Sequence, residues 1–226
     1  MKDGALAQRA VAEGIGTAIL LAAIVGSGIM AERLAGGNEA LALLCNAIAT
    51  GAILTTLILI FSPVSGAHFN PVVSLAFAIR GDLSHRTLAF YSISQFVGAI
   101  VGVWLAHLMF ELPLLQVSLK ERCGSGQWIA EFIATFGLVL TILGCLARAP
   151  SAIPVAVGLY ITSAYWFTAS TSFANPAVTV ARSLSNTFAG IAPGGVPAFL
   201  GAQLIGMITA LVLVRWIWGD QTGKTK

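Results

Sequence analysis

Charge is what this sequence has least of. Only 9% of its 226 residues are Asp, Glu, Lys or Arg, against about 25% in ordinary soluble domains. A chain so poor in charge cannot cover a water-facing surface, which excludes a soluble globular protein. The 12 basic and 9 acidic residues are scattered, with no basic run to match a phosphate backbone, so nucleic acid is not an expected partner. His68, His85 and His107 are too dispersed to form a catalytic cluster, and Cys45, Cys123 and Cys145 lack metal-ligand spacing. No cofactor, metal or enzymatic activity is expected. What the chain has in quantity is apolar residues, 57% of the total.

A bilayer core of about 30 Å takes about 20 apolar residues as a helix. Windows without charge give six candidate spans, roughly 10–30, 39–61, 87–110, 128–147, 152–169 and 197–217. The apolar run behind Met1 to Arg9 is too long for a signal-peptide core and is kept as a span. Two windows exceed one helix: 40 uncharged residues from Ala40 to Ile79, and 33 from Ala149 to Ala181. The first breaks at Ser62-Pro63 and Ser65-Gly66, the second at Thr168 to Ser172. Each break leads to an Asn-Pro pair and about ten further residues, enough for roughly half a membrane. With six spans, Lys2, Arg9, Arg80, Arg86, Arg148, Arg215, Lys224 and Lys226 share a side, against Arg33, Lys120, Arg122 and Arg182 on the other. That bias places both termini in the cytoplasm.

The two halves repeat in order. Ala12-Glu13-Gly14 matches Ala130-Glu131-Phe132, Asn70-Pro71-Val72 matches Asn175-Pro176-Ala177, and Ser94-Gln95 matches Ala202-Gln203. Three spans per half is an odd number, so the copies, 9–110 and 127–218 of a single channel domain, insert with opposite topology. Asn is a strong N-cap and Pro is tolerated at the first helical position, so Asn70 and Asn175 each start a half-helix. Two such N-termini meeting at the midplane disfavour cations there, and their amides suit a neutral solute. Carboxylates within a membrane are costly and need partners. Glu13 and Glu131 are read as supports for the irregular backbone before each half-helix. Gly98, Gly102, Ala202, Gly206 and Ala210 recur at four-residue spacing, which permits close helix packing.

These residues resemble the major intrinsic protein family, the aquaporins and aquaglyceroporins. Ser65-Gly66-Ala67-His68-Phe69-Asn70-Pro71-Val72 resembles its first signature loop and Phe173-Ala174-Asn175-Pro176-Ala177 its second. The resemblance implies an all-α membrane protein with six transmembrane helices, two re-entrant half-helices and an inverted 3+3 repeat. It further implies a pore in each subunit of a homotetramer, surrounded by membrane lipid in a bacterial inner membrane, and passing small neutral solutes. His68 then has a structural role in its loop. Two departures stand out. The first motif ends in Val72, which adds bulk beside the constriction, and Val178 stands where the family usually has a filter arginine. Counting back from Asn70 puts Thr50 at the helix-two filter position. The helix-five position is Ser163 or Tyr165, and the loop position Ser172 or Phe173. This combination is similar to bacterial aquaglyceroporin-like channels associated with arsenical resistance, which implies glycerol-like polyols, arsenite, methylated arsenicals and water as solutes. Arg182, one turn beyond Val178, is read as snorkelling to the interface, with a place in the outer vestibule as the other reading. A water-selective channel and a proton-coupled transporter using Glu13 or Glu131 remain the rival functions.

Overall fold

Long apolar segments fold as helices because a helix satisfies its backbone groups within the segment. The structure, a computed structural model, describes residues 3–219. Lys2, Lys224 and Lys226, which enter the orientation count, lie outside the described residues. The order is α1 (Asp3–Leu34), α2 (Glu39–Ser65), α3 (Pro71–Ile79), α4 (His85–Met109), α5 (Ser125–Arg148), α6 (Ile153–Phe167), α7 (Pro176–Arg182) and α8 (Val196–Trp218). Single 3-10 turns at Pro150–Ala152 and Pro193–Gly195 lead into α6 and α8.

Among the described residues, five helical segments are long and apolar enough to cross a membrane: Ala5–Leu34, Glu39–Ser65, His85–Met109, Ser125–Arg148 and Pro193–Trp218. The expected fifth span, 152–169, is shorter than read, because α6 has 15 residues and ends at Phe167. The expected break at Ser62-Pro63 is also absent: α2 runs through Pro63 to Ser65. The chain turns at Gly66 instead, whose φ of 92° suits a residue without Cβ and whose N–H donates to the Ser62 carbonyl at 3.1 Å. A proline near the end of a helix removes one hydrogen bond without needing to end the helix there.

Large apolar side chains are exposed on the surface, while polar groups lie buried within a mainly apolar interior. Leu59, Ile93, Val97, Leu159 and Trp216 are exposed, while Glu13, Gln95, Glu131 and Gln203 are fully buried. That arrangement is expected of an integral membrane protein, where every buried polar group needs an internal partner. In the first half α1 packs against α4 and α2; in the second α5 packs against α8 and α6. The small residues at four-residue spacing sit at these crossings. A Cβ on Gly98 would collide with the Gly14 carbonyl, and one on Gly102 with the Ala18 carbonyl, so α4 lies on α1 backbone to backbone. The short helices α3 and α7 lie between the halves, each against α4 and α8, and they touch each other.

Candidate functional site: paired loops and a lined cavity

The two loops preceding α3 and α7 have nearly the same backbone. Asn70 (φ −154°, ψ 117°) caps α3, and its side-chain oxygen accepts from Val72 N at 3.0 Å. Asn175 (φ −157°, ψ 117°) caps α7 and accepts from Ala177 N at 2.9 Å and Val178 N at 3.3 Å. Pro71 and Pro176 occupy the first helical positions, where no N–H is missed. The asparagine amides also cross between loops. Asn70 Nδ2 donates to the Ala174 carbonyl at 2.7 Å, and Asn175 Nδ2 donates to the Phe69 carbonyl at 2.8 Å. Each amide has two N–H groups, so one remains beyond this bond.

Five non-glycine residues before the asparagines have positive φ: Ala67 (53°) matches Ser172 (52°), Phe69 (49°) matches Ala174 (47°), and Thr171 (60°) matches Gly66 (92°). Left-handed backbone of this kind costs of order 1–3 kcal/mol per residue and persists only where its surroundings hold it. The buried carboxylates are the surroundings. Glu13 accepts from Ser65 Oγ (2.6 Å), His68 N (2.9 Å), Phe69 N (2.6 Å) and Gln95 Nε2 (2.8 Å). Glu131 accepts from Phe173 N (2.8 Å), Ala174 N (2.9 Å) and Gln203 Nε2 (2.7 Å). Gln95 also donates to Ser74 Oγ at 3.0 Å and Gln203 to Thr179 Oγ1 at 2.9 Å, tying each support to the half-helix it serves. His68 joins this frame through Nδ1 and Ser74 Oγ, 3.0 Å apart. Sequence reasoning picks out the glutamates but not Gln95 and Gln203 as their partners; the Ser94-Gln95 and Ala202-Gln203 match carries that signal.

One cavity of about 230 Å³ runs past both loops, far more than the roughly 10–15 Å³ that one water requires. Its walls are helix stripes at four-residue spacing: Thr50, Leu54 and Ile58 on α2, Leu138, Ile142 and Leu146 on α5, and Ile153, Val157, Ile161 and Tyr165 on α6. The α6 stripe alone extends roughly 18 Å. Asn70, Asn175 and the loop residues 66–69 and 172–173, with Thr50, Tyr165 and Arg182, supply the polar groups of a mainly apolar bore.

The filter candidates separate on this geometry. Thr50 Oγ1 and Tyr165 Oη lie 3.2 Å apart and both line the cavity. Ser163 is exposed, donates to the Tyr160 carbonyl at 2.8 Å and is not among the lining residues. Tyr165, two residues on, faces the cavity because two residues turn a helix about 200°. Ser172, Phe173 and Val178 all line it. Val72 and Ala177 are buried but do not; Val72 packs in a cluster with Val139, Leu143 and Met207, so its extra bulk falls behind the bore.

Arg182 requires a correction. It does not snorkel: it is 1% exposed and lines the cavity. Its Nε donates to the Ala189 carbonyl and its guanidinium carbon stands 3.4 Å from the Phe173 ring centroid. The residue sits on the inner face of a seven-residue helix whose following loop folds back over it, so no route to an interface exists. Arg122, in the segment joining α4 to α5, approaches the same ring at 5.1 Å. It donates to the Gly190 carbonyl at 2.9 Å and the Ser170 carbonyl at 3.0 Å. Burial pulls its pKa below the ordinary guanidinium value, opposed in part by Glu131 and Tyr165. Arg122 was not legible as a site residue, since only the loop's return over the second motif brings it there.

Comparison with known proteins agrees with this architecture. Residues 1–163 match the major intrinsic protein family. The chain is 57% identical to aquaglyceroporin AqpS of Rhizobium meliloti (strain 1021), over 96% of this chain and 93% of that protein. It is 32% identical to probable aquaporin TIP2-2 of Oryza sativa subsp. japonica, over 67% of this chain and 64% of the other. The X-ray structure of the aquaglyceroporin from Plasmodium falciparum superposes with a TM-score of 0.71 at 20% identity, over 94% of this chain and 96% of that one. On the matched family and the identity to AqpS, the chain belongs to the major intrinsic protein family of aquaporin and aquaglyceroporin channels.

Proposed function

We propose that the protein is a passive channel for small uncharged solutes, passing glycerol-like polyols and water, with arsenite and methylated arsenicals as further solutes of the same class. The observation that supports this best is the cavity itself: a mainly apolar bore carrying a few polar groups, passing two capped helix N-termini. Solute exchanges water hydrogen bonds for the remaining amide hydrogens of Asn70 and Asn175 and for loop carbonyls. The helix N-termini oppose cations at that point. In this reading α1, α2, α4, α5, α6 and α8 are six spans and α3 and α7 two re-entrant half-helices. The halves 9–110 and 127–218 are inverted copies within one channel domain. Both termini are cytoplasmic, and the chain assembles as a homotetramer in a bacterial plasma membrane.

Thr50, Tyr165, Ser172, Phe173 and Val178 form the filter, wide because Val178 offers a short apolar side chain at the position of the usual arginine. Glu13 and Glu131 speak against the transporter reading: both are fully buried, hydrogen-bonded through both oxygens and absent from the cavity lining. The test is light scattering of proteoliposomes under water, glycerol and uncharged arsenite gradients, with Val178→Arg alongside. Fast glycerol flux, reduced more than water flux in the variant, supports the wide filter. Water flux alone makes the protein a water-selective channel, and equal loss of every solute in a folded variant removes Val178 from the filter.

A further inference from the structure

Two buried polar atoms on the cavity wall have no hydrogen-bond partner: Arg182 Nη1 and Ser172 Oγ. Their residues are 1% and 3% exposed. Unpaired buried polar groups are costly, most of all on a charged side chain. Packing does not account for these two, because every other contact of Arg182 fixes the guanidinium in place. Its Nε is held by the Ala189 carbonyl, and its carbon lies over Phe173, whose ring meets Phe199 edge-on at 5.2 Å. Ser172 is held through its backbone, which donates to Ser170 Oγ at 3.2 Å, leaving its hydroxyl unengaged. No carboxylate forms an ion pair with Arg182; among the described residues the ion pair is Arg80–Asp82. Glu131, the nearby counter-charge, has its oxygens taken by the backbone of the same loop and by Gln203.

A guanidinium held through its Nε and its stacked face, with both hydrogens of Nη1 unengaged, and an unengaged hydroxyl on the same cavity wall are preorganised oxygen-binding groups. Both belong to one stretch of the wall, since Ser172 is the chain neighbour of the Phe173 that Arg182 covers. We propose that Arg182 Nη1 and Ser172 Oγ form a two-point docking site for adjacent hydroxyls of a small polyol, Arg182 donating to one solute oxygen and Ser172 exchanging a hydrogen bond with the next. The site rests on the channel reading and adds a specificity determinant to it. Val178 leaves room at the filter, and Arg182, one turn further along α7, supplies the cationic donor that Val178 lacks. A solute with two neighbouring hydroxyls uses both groups; water uses one at a time.

Ser172→Ala, Arg182→Met and Arg182→Lys in proteoliposomes test this with glycerol and water as the probes. Wild-type glycerol flux above that of empty liposomes establishes the channel independently, so its absence would fault that reading rather than the site. The glycerol-to-water permeability ratio is expected to fall about tenfold in Arg182→Met, as loss of one hydrogen bond to a charged group implies. It should fall about threefold in Ser172→Ala, and Arg182→Lys should recover part of the loss. Ser172→Ala deletes a hydroxyl with no partner and keeps the backbone bond, so it remains informative should Arg182→Met fail to fold. An unchanged ratio in Ser172→Ala, or equal loss of water and glycerol in folded Arg182→Met, overturns the site. A structure of the wild-type protein in glycerol gives an independent reading. Solute oxygens at hydrogen-bond distance from both atoms support the proposal, and glycerol confined to Asn70 and Asn175 contradicts it.

Discussion

At the first loop Glu13 gathers Ser65, His68, Phe69 and Gln95, and His68 stacks beside Phe77 with ring centroids 4.7 Å apart. At the second, Glu131 gathers Phe173, Ala174 and Gln203, and two arginines stand against the Phe173 ring. The carboxylate, the glutamine, the left-handed backbone and the capping asparagine are common to both. What differs is what faces the cavity: histidine and aliphatic groups on one side, a hydroxyl and a guanidinium on the other. The repeat therefore supplies the frame, and the positions it leaves unconstrained supply the chemistry. On the proposed filter, selectivity would change at Ser172, Val178 and Arg182 while Glu131 keeps its backbone partners.

The largest effect should come from breaking what the loops share. Glu13→Ala orphans four buried donors and Glu131→Ala three, at about 1–3 kcal/mol each, so neither variant should yield monodisperse protein in detergent. Glu13→Gln and Glu131→Gln, which keep one acceptor, should fold with lower melting temperatures. Should Glu131→Ala fold normally, the arginines and not the carboxylate hold the second loop. Next comes the close packing of α4 on α1 within the first half. Gly98→Leu forces α4 away from the Gly14 carbonyl and should cost at least about 1–3 kcal/mol, read as a drop in thermal stability alongside loss of flux.

A sharper use of the symmetry is the pair Asn70→Ala and Asn175→Ala. Each loses a cap worth about 0.5–2 kcal/mol and one cross-loop hydrogen bond, so the two should be destabilised alike and lose glycerol flux alike. A large asymmetry would show that one loop carries the other. Tyr165→Phe removes only the hydroxyl 3.2 Å from Thr50 Oγ1, costing about 1 kcal/mol, and should change solute ratios more than stability. The smallest effect is expected of Lys120→Ala. Lys120 lies outside the cavity lining, its amine over the Phe188 ring at 4.6 Å, and loss of that contact should shift stability by about 0.5–1 kcal/mol.

Much of this could be read before any coordinates, and for stated reasons. Repetition revealed the frame: Glu13 with Glu131, and Asn70 with Asn175, recur in the same order because each does the same work for its own half. Charge-free windows exposed the long helices, though one overran at 152–169, where the chain stays uncharged past Phe167 into the Thr/Ser-rich loop that must uncoil before Asn175. Pro63 misled because proline marks an ending only when the next turns cannot continue, and Gly66 was the true stop. Arg122 was beyond reach, and for Arg182 the sequence left the vestibule and the snorkel as alternatives. A guanidinium near the end of a seven-residue helix has the sequence signature of a snorkelling side chain; only the return of residues 183–192 and the approach of the α4–α5 segment enclose it. Ser163 and Tyr165 could not be separated by counting from ends that shift by two residues, yet two residues on a helix decide which side chain meets the cavity.

In the proposed channel, solute crosses by diffusion through a fixed bore. The direct measurement is the initial rate of glycerol influx into proteoliposomes across a wide range of glycerol concentration, with and without an imposed proton gradient. For a passive channel the rate should rise in proportion to concentration, far beyond the range where a carrier turns over, and be indifferent to the gradient. A rate that saturates and follows the direction of the proton gradient would contradict it, and would return Glu13 and Glu131 from structural supports to coupling groups.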